Sequence, residues 1–258
     1  MGFVMSTNDT LKNVAARLIK ENICSTPLDN NSLETVYLYA EHYISSADLC
    51  RRLSDVELNY IQISAEANNA CVAVTDIKLS IADSCRRLTN LWQNSGYLKD
   101  YFFSSSENDI DKIRETYVIT LEYLRKQMNL LSEALLIISE TSAQTRACAA
   151  SFAEIYRESK LAIYAAMLNR DVAEVLECRS TSLQSHASAK ECERFSLKLM
   201  GNARACTRII NCVNNMIVEA SQSLSIDSPG YKAMPAKANT AICSAITSLE
   251  NIHIEISD

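Results

Sequence analysis

From Leu49 to Leu91 the apolar residues recur in steps of four and three: Leu49, Leu53, Val56, Tyr60, Ile63, Ala67, Ala70, Val74, Ile77, Ile81, Ser84, Leu88 and Leu91, with only Ser84 breaking the line. Six heptads in one register, without Gly or Pro, predict a long helix whose apolar stripe faces a neighbouring helix. Asn31 with Glu34 resembles a capping box, so the spacing predicts a rod over 32–93, about 90 Å long. A shorter helix is predicted before it over 7–24, with Leu11, Val14, Ala15, Leu18 and Ile19 on one face, ending at Pro27 and its polar neighbours.

A third helix is predicted over 106–168. Its line runs through Tyr117, Leu121, Leu124, Met128, Leu131, Leu135 and Ile138, then a softer Ser142, Thr145, Ala149, Phe152, Tyr156, Ser159, Ile163 and Ala166. The register survives the polar Ser139–Thr145, which marks a candidate kink. At Leu168–Asp171 the phase jumps, and a change of phase is where a rod reverses. Asp171 with Glu174 gives another capping pair, opening a fourth helix over 171–224 whose middle is lined by Ser, Ala and Cys. Pro235 suits the first turn of a last helix over 235–256, carrying Ala238, Ile242, Ala245, Leu249, Ile252 and Ile256.

These elements predict an all-α fold: an elongated antiparallel up-and-down helical bundle or coiled coil, with three long helices and two short terminal ones, in a single domain over 1–258. Composition sharpens this. With only 4 Gly and 3 Pro in 258 residues the chain has few turn-formers, and its 48% hydrophobic content can fill a core.

Charge and cysteine usage narrow the function. The net charge of −6 contains no basic stripe, which disfavours nucleic-acid binding. The longest apolar run, Leu161–Leu168, is too short for a membrane span, and no cleavable leader opens the sequence. Gly2 and Ser6 formally fit a myristoylation pattern, against which the bulky Phe3 counts. The 10 cysteines form no CxxC and lie inside helical patterns. They read as reduced thiols in a cytoplasmic protein, with export by a route without a cleaved signal left open.

Catalytic chemistry finds little support. Gly2, Gly96, Gly201 and Gly230 are scattered, so no phosphate-cradling loop can be written. A di-iron bundle needs Glu-x-x-His twice; Glu250 with His253 supplies one spacing, and neither His42 nor His186 has the matching glutamate. A nucleophile assembled in space from a serine or cysteine with a histidine has no local signature here, and His186 reads as an interhelical hydrogen-bonding group. Cys50, Cys71 and Cys85, and Cys178, Cys192 and Cys206, are whole heptads apart; they read as packing residues, beside the seam in the second rod and within it in the fourth. No catalytic residue, cofactor or metal is predicted.

Two features suggest partners. Trp92, Tyr97, Tyr101, Phe102 and Phe103 gather where two rods meet, as an interaction tip or as a plug for the open end. Tyr37, Tyr39 and Tyr43 form a second aromatic group. The stretch Ser45–Ser54 is nearly repeated at Ser80–Thr89, 35 residues or five heptads later, and brings the paired cations Arg51, Arg52, Arg86 and Arg87, each pair preceded by Asp48 or Asp83. Acid-before-base order favours helix ion pairs and leaves the arginines as two equally spaced partner contacts. The expected function is therefore a non-enzymatic scaffold or adaptor that binds a protein partner or forms a homo-oligomer. The alternative is a membrane-active helical protein, either a membrane-shaping module or a pore-forming or translocator bundle. Membrane contact is not favoured, since both a basic face and an apolar hairpin are missing. A third reading, a ligand pocket within the small-residue seam, follows from the room that Ser and Ala leave.

Overall fold

The computed structural model describes residues 44–94, 107–225 and 234–256, and among these every element is helical. Four helices pack against one another: α1 (Ser46–Asn94), α2 (Glu107–Leu168), α3 (Val172–Ser223) and α4 (Met234–Glu250). The expected helix over 7–24, the Asn31–Glu34 cap and Tyr37, Tyr39 and Tyr43 lie outside the described residues.

The second rod does not run unbroken from residue 32. Ile44 and Ser45 are non-helical, and α1 starts at Ser46. The reason is local. The Ser45 hydroxyl accepts the Asp48 N–H at 3.2 Å and lies 3.0 Å from the Asp48 carboxylate, a cap that satisfies a donor the first turn leaves free. The α2–α3 reversal is equally explicit. The Asp171 N–H donates to the Ala166 carbonyl at 3.0 Å and the Arg170 N–H to Met167 at 3.1 Å, with Arg170 in the left-handed region at φ 60°. Asp171 then caps α3 by accepting the Glu174 N–H at 3.1 Å.

The last helix stops at Glu250, short of the expected 256. Ile252, Ile254 and Ile256 alternate with polar residues, and the Asn202 side chain supplies a substitute partner for this backbone. It accepts the Glu255 N–H at 2.9 Å and donates to the Glu255 carbonyl at 2.7 Å. The Lys78 ammonium donates to the Ile252 carbonyl.

The chain gathers into two compact units. The first takes in the described residues up to Ile63 with Gln144–Ser196; the second takes in Ser64–Ala143 with Leu197 onward. In the first unit, Leu49, Leu53 and Ile63 of α1 pack with Phe152, Ile155 and Ile163 of α2 and with Cys178, Ala189 and Cys192 of α3. Tyr60 meets Phe195 edge-on, ring centroids 6.1 Å apart. Ser46 and Cys50 contact Glu177 and Thr181, each partner 131 residues later.

In the second unit α4 joins the other three. Cys71 and Cys85 contact Asn202 and Met216, again 131 residues later. Tyr117 donates to the Asn239 side chain at 3.1 Å and approaches the Leu88 carbonyl at 3.4 Å. Arg114 donates to the Leu224 carbonyl. The added helix widens the buried face of α1: Cys71, Ala82, Cys85 and Trp92 are buried, while Leu91, expected in the seam, is exposed. The cysteines expected beside the seam are therefore inside it here, because α4 covers the side on which Thr89 meets Cys243. α2 continues through Ser139–Thr145, where Thr141, Ser142 and Thr145 are buried and Thr141 donates to the Ile137 carbonyl of its own helix at 2.8 Å.

Candidate functional site

The repeated stretches keep their ion pairs and differ in surroundings. Arg51 lies 3.4 Å from Asp48, and Arg86 lies 2.9 Å from Asp83, the same three-residue step in both copies. Arg52 reaches across to Glu158 of α2 at 2.5 Å, whereas Arg87 is simply exposed. Arg86 also meets Glu250 at 2.8 Å; the hydrogen bonds from Glu250 and Asp83 push its guanidinium above its ordinary range. Arg51 and Arg52 belong to the first unit, Arg86 and Arg87 to the second. Cys50 is exposed and shares a 3.1 Å hydrogen bond with Thr181, while Cys85 is fully buried against the Met216 sulfur at 3.8 Å.

Of the aromatic group, Trp92 is only 2% exposed and belongs to the core of the second unit. Tyr97, Tyr101, Phe102 and Phe103 lie outside the described residues.

Burial controls the interior thiols. It pushes Cys85, Cys178 and Cys192 up to about 12 and Cys206 to about 11. At Cys178 the carboxylates of Glu174 and Glu177 add to the effect of burial. Both carboxylates are held at the positive end of α1: the Ser46 N–H donates to Glu174 at 2.5 Å, and the Ser46 hydroxyl reaches Glu174 at 2.7 Å and Glu177 at 2.5 Å. Thiols kept protonated in this way are poor nucleophiles.

His186, expected to hydrogen-bond across helices, instead stacks on Tyr156 of α2, centroids 4.6 Å apart, with the Lys160 ammonium 4.5 Å from the same Tyr ring. Glu250 and His253 are both exposed, and among the described residues no group of three His, Cys, Asp or Glu comes together to hold a metal. A groove of about 410 Å³ lies between α3 and α4, lined by Arg208, Cys212, Asn215, Glu219, Ser244 and Ser248 among others. The charged and hydroxyl side chains there are exposed, and Ser248 donates to the Ser244 carbonyl of its own helix at 3.0 Å. The small-residue seam of α3 is packed: Ser182, Ser185, Ala189, Cys192 and Ser196 are all buried.

A feature missed in the sequence is a second apolar line on α2, within the second unit. Ile119, Tyr123 and Leu130 are 59%, 39% and 45% exposed, and Ile137 is half-buried. Exposed Lys126 and Glu133 complete the four-three spacing. The line runs two residues behind the core line Tyr117, Leu121, Leu124, Met128, Leu131 and Leu135, so it faces away from the stripe that fills the interior. Its signal was in the sequence, hidden because the stronger buried line accounts for the helix by itself.

No family model, curated protein or solved structure matches this chain. Among the described residues, no helix is long and apolar enough to cross a membrane.

Proposed function

We propose that this chain is a non-enzymatic helical scaffold or adaptor that works by protein–protein interaction or self-association. The observation that carries the reading is the second heptad line of α2. Three large apolar side chains left in solvent at coiled-coil spacing, Ile119, Tyr123 and Leu130, with Lys126 and Glu133 between and beyond them, are an interaction feature, whereas singly scattered ones need no explanation. The packed α3 seam and the protonated state of the interior thiols Cys85, Cys178, Cys192 and Cys206 favour this reading over a ligand carrier or an enzyme built on those cysteines.

We also infer that the helices form an antiparallel up-and-down bundle. Within the first unit, α1 advances from Arg52 to Asn59 while its α2 partners retreat from Glu158 to Cys148. Within the second, α1 retreats from Thr89 to Lys78 while its α4 partners advance from Cys243 to Ile252. The constant 131-residue step between α1 and α3 supports parallel running of that pair.

Native fractionation of an extract of the source cells tests the function. The chain is expected in a discrete complex heavier than itself, whether with its own copy or with another protein. Recovery solely as a monomer, with sedimentation on anionic vesicles at low salt, would instead support the membrane-active alternative.

A further inference from the structure

We propose that the second apolar line of α2 is a self-association face, on which a second copy of this chain packs antiparallel about a two-fold axis at the level of Met128. The proposal deepens the scaffold reading and rests on it for the use of this surface. The occupant follows from the order of charges along the line.

Ile119, Lys126 and Glu133 occupy one seam position, and Tyr123, Leu130 and Ile137 occupy the other. An antiparallel coiled coil sets one kind of position opposite the other. Centred at Met128, this brings Ile119 opposite the second copy's Ile137, Leu130 opposite its Lys126, and Tyr123 opposite its Glu133. The Lys126 stem then covers Leu130, and its ammonium reaches the Glu133 carboxylate less than one turn along. A parallel, in-register copy would oppose lysine to lysine and glutamate to glutamate, an arrangement that costs stability.

The flanking positions fit the same symmetry. At the axis Asn129 and Gln127 each meet their own copy, and an amide carries both donors and an acceptor, so it is complementary to itself. A two-fold interface requires such self-complementarity. The Tyr123 hydroxyl, fixed by a 2.8 Å hydrogen bond with Ser80 of α1, holds that ring in place on the face before any partner arrives.

Sedimentation equilibrium of the purified full chain at micromolar concentrations tests this. The expected mass is twice the 28.7 kDa of one chain. Leu130→Glu, a change at an exposed position, is expected to give a monomer with unchanged helical circular dichroism. Lys126→Glu alone should weaken the dimer by about tenfold, and adding Glu133→Lys should restore it to within about twofold, since the reversed pairs recreate the same attraction. A wild-type monomer, a dimer indifferent to Leu130→Glu, or a double variant no better than Lys126→Glu overturns the proposal. A chain that is monomeric when pure yet enters a complex in extract overturns self-association and leaves the scaffold reading standing.

Discussion

Arg170 shows what one residue contributes when the backbone dictates its conformation. Its φ of 60° ends α2 in the left-handed region, where a Cβ meets the following carbonyl and glycine is favoured. Arg170→Gly is expected to stabilise the protein by roughly 1 kcal/mol, raising the melting temperature by about 2–4 °C in a thermal scan. The reverse case is Gly201, an exposed residue in the interior of α3, where an added Cβ meets nothing within 4 Å. Gly201→Ala should stabilise by about 0.8–1 kcal/mol, read from the urea midpoint. Asn202, its neighbour, is 2% exposed and holds the Glu255 backbone from both sides. Asn202→Ala should cost about 2 kcal/mol and remove hydrogen-exchange protection at the Glu255 amide, because buried polar groups lose their partner.

At the scale of the element, the helices are specified by a stripe and ended by caps. The α2 stripe from Tyr117 to Ala166 is buried or half-buried at every position predicted from heptad spacing, including Ser142, Thr145 and Ser159. Polar residues are admitted because they return hydrogen bonds to their own helix, as Ser159 does to the Ile155 carbonyl at 2.7 Å. Tyr117→Phe should weaken the meeting of α2, α1 and α4 by about 1 kcal/mol in chemical denaturation, through the lost hydrogen bond to Asn239. The α4 terminus went unpredicted for a related reason: heptad spacing at Leu249, Ile252 and Ile256 competed with the alternation of Ile252, Ile254 and Ile256. A side chain 53 residues earlier, Asn202, decided between them.

For the whole molecule, the buried thiols tie stability to pH. Cys85, Cys178, Cys192 and Cys206 are raised from an ordinary value of about 9 to between about 11 and 12, with burial the first cause in each. The unfolded chain therefore loses these protons first as pH rises. Their contribution is full below pH 9 and falls between pH 9 and 12. Urea unfolding should thus give a constant stability from these groups up to about pH 8.5 and a decline above pH 9. Cys178→Ala together with Cys192→Ala should make that decline shallower, with Cys85 and Cys206 keeping the remainder.

The helical class, the α2–α3 reversal at Asp171, the core line of α2 and the small-residue seam of α3 were legible in the sequence, since heptad spacing and caps act within one helix. The start of α1 was also written there, in the Ser45–Asp48 cap, but the capping-box-like pair Asn31 and Glu34 drew the expected start to residue 32. The candidate site was legible only in part. Asp48–Arg51 and Asp83–Arg86 follow from spacing, whereas the partners Glu158 and Glu250 do not. Which face of a helix remains in solvent depends on how many neighbours cover it. Tertiary packing therefore decided that Trp92 and Cys85 are interior, that Leu91 is not, and that Ile119, Tyr123 and Leu130 stay uncovered. Local periodicity determines that a stripe exists; only the helices packed around it determine whether that stripe is core or surface.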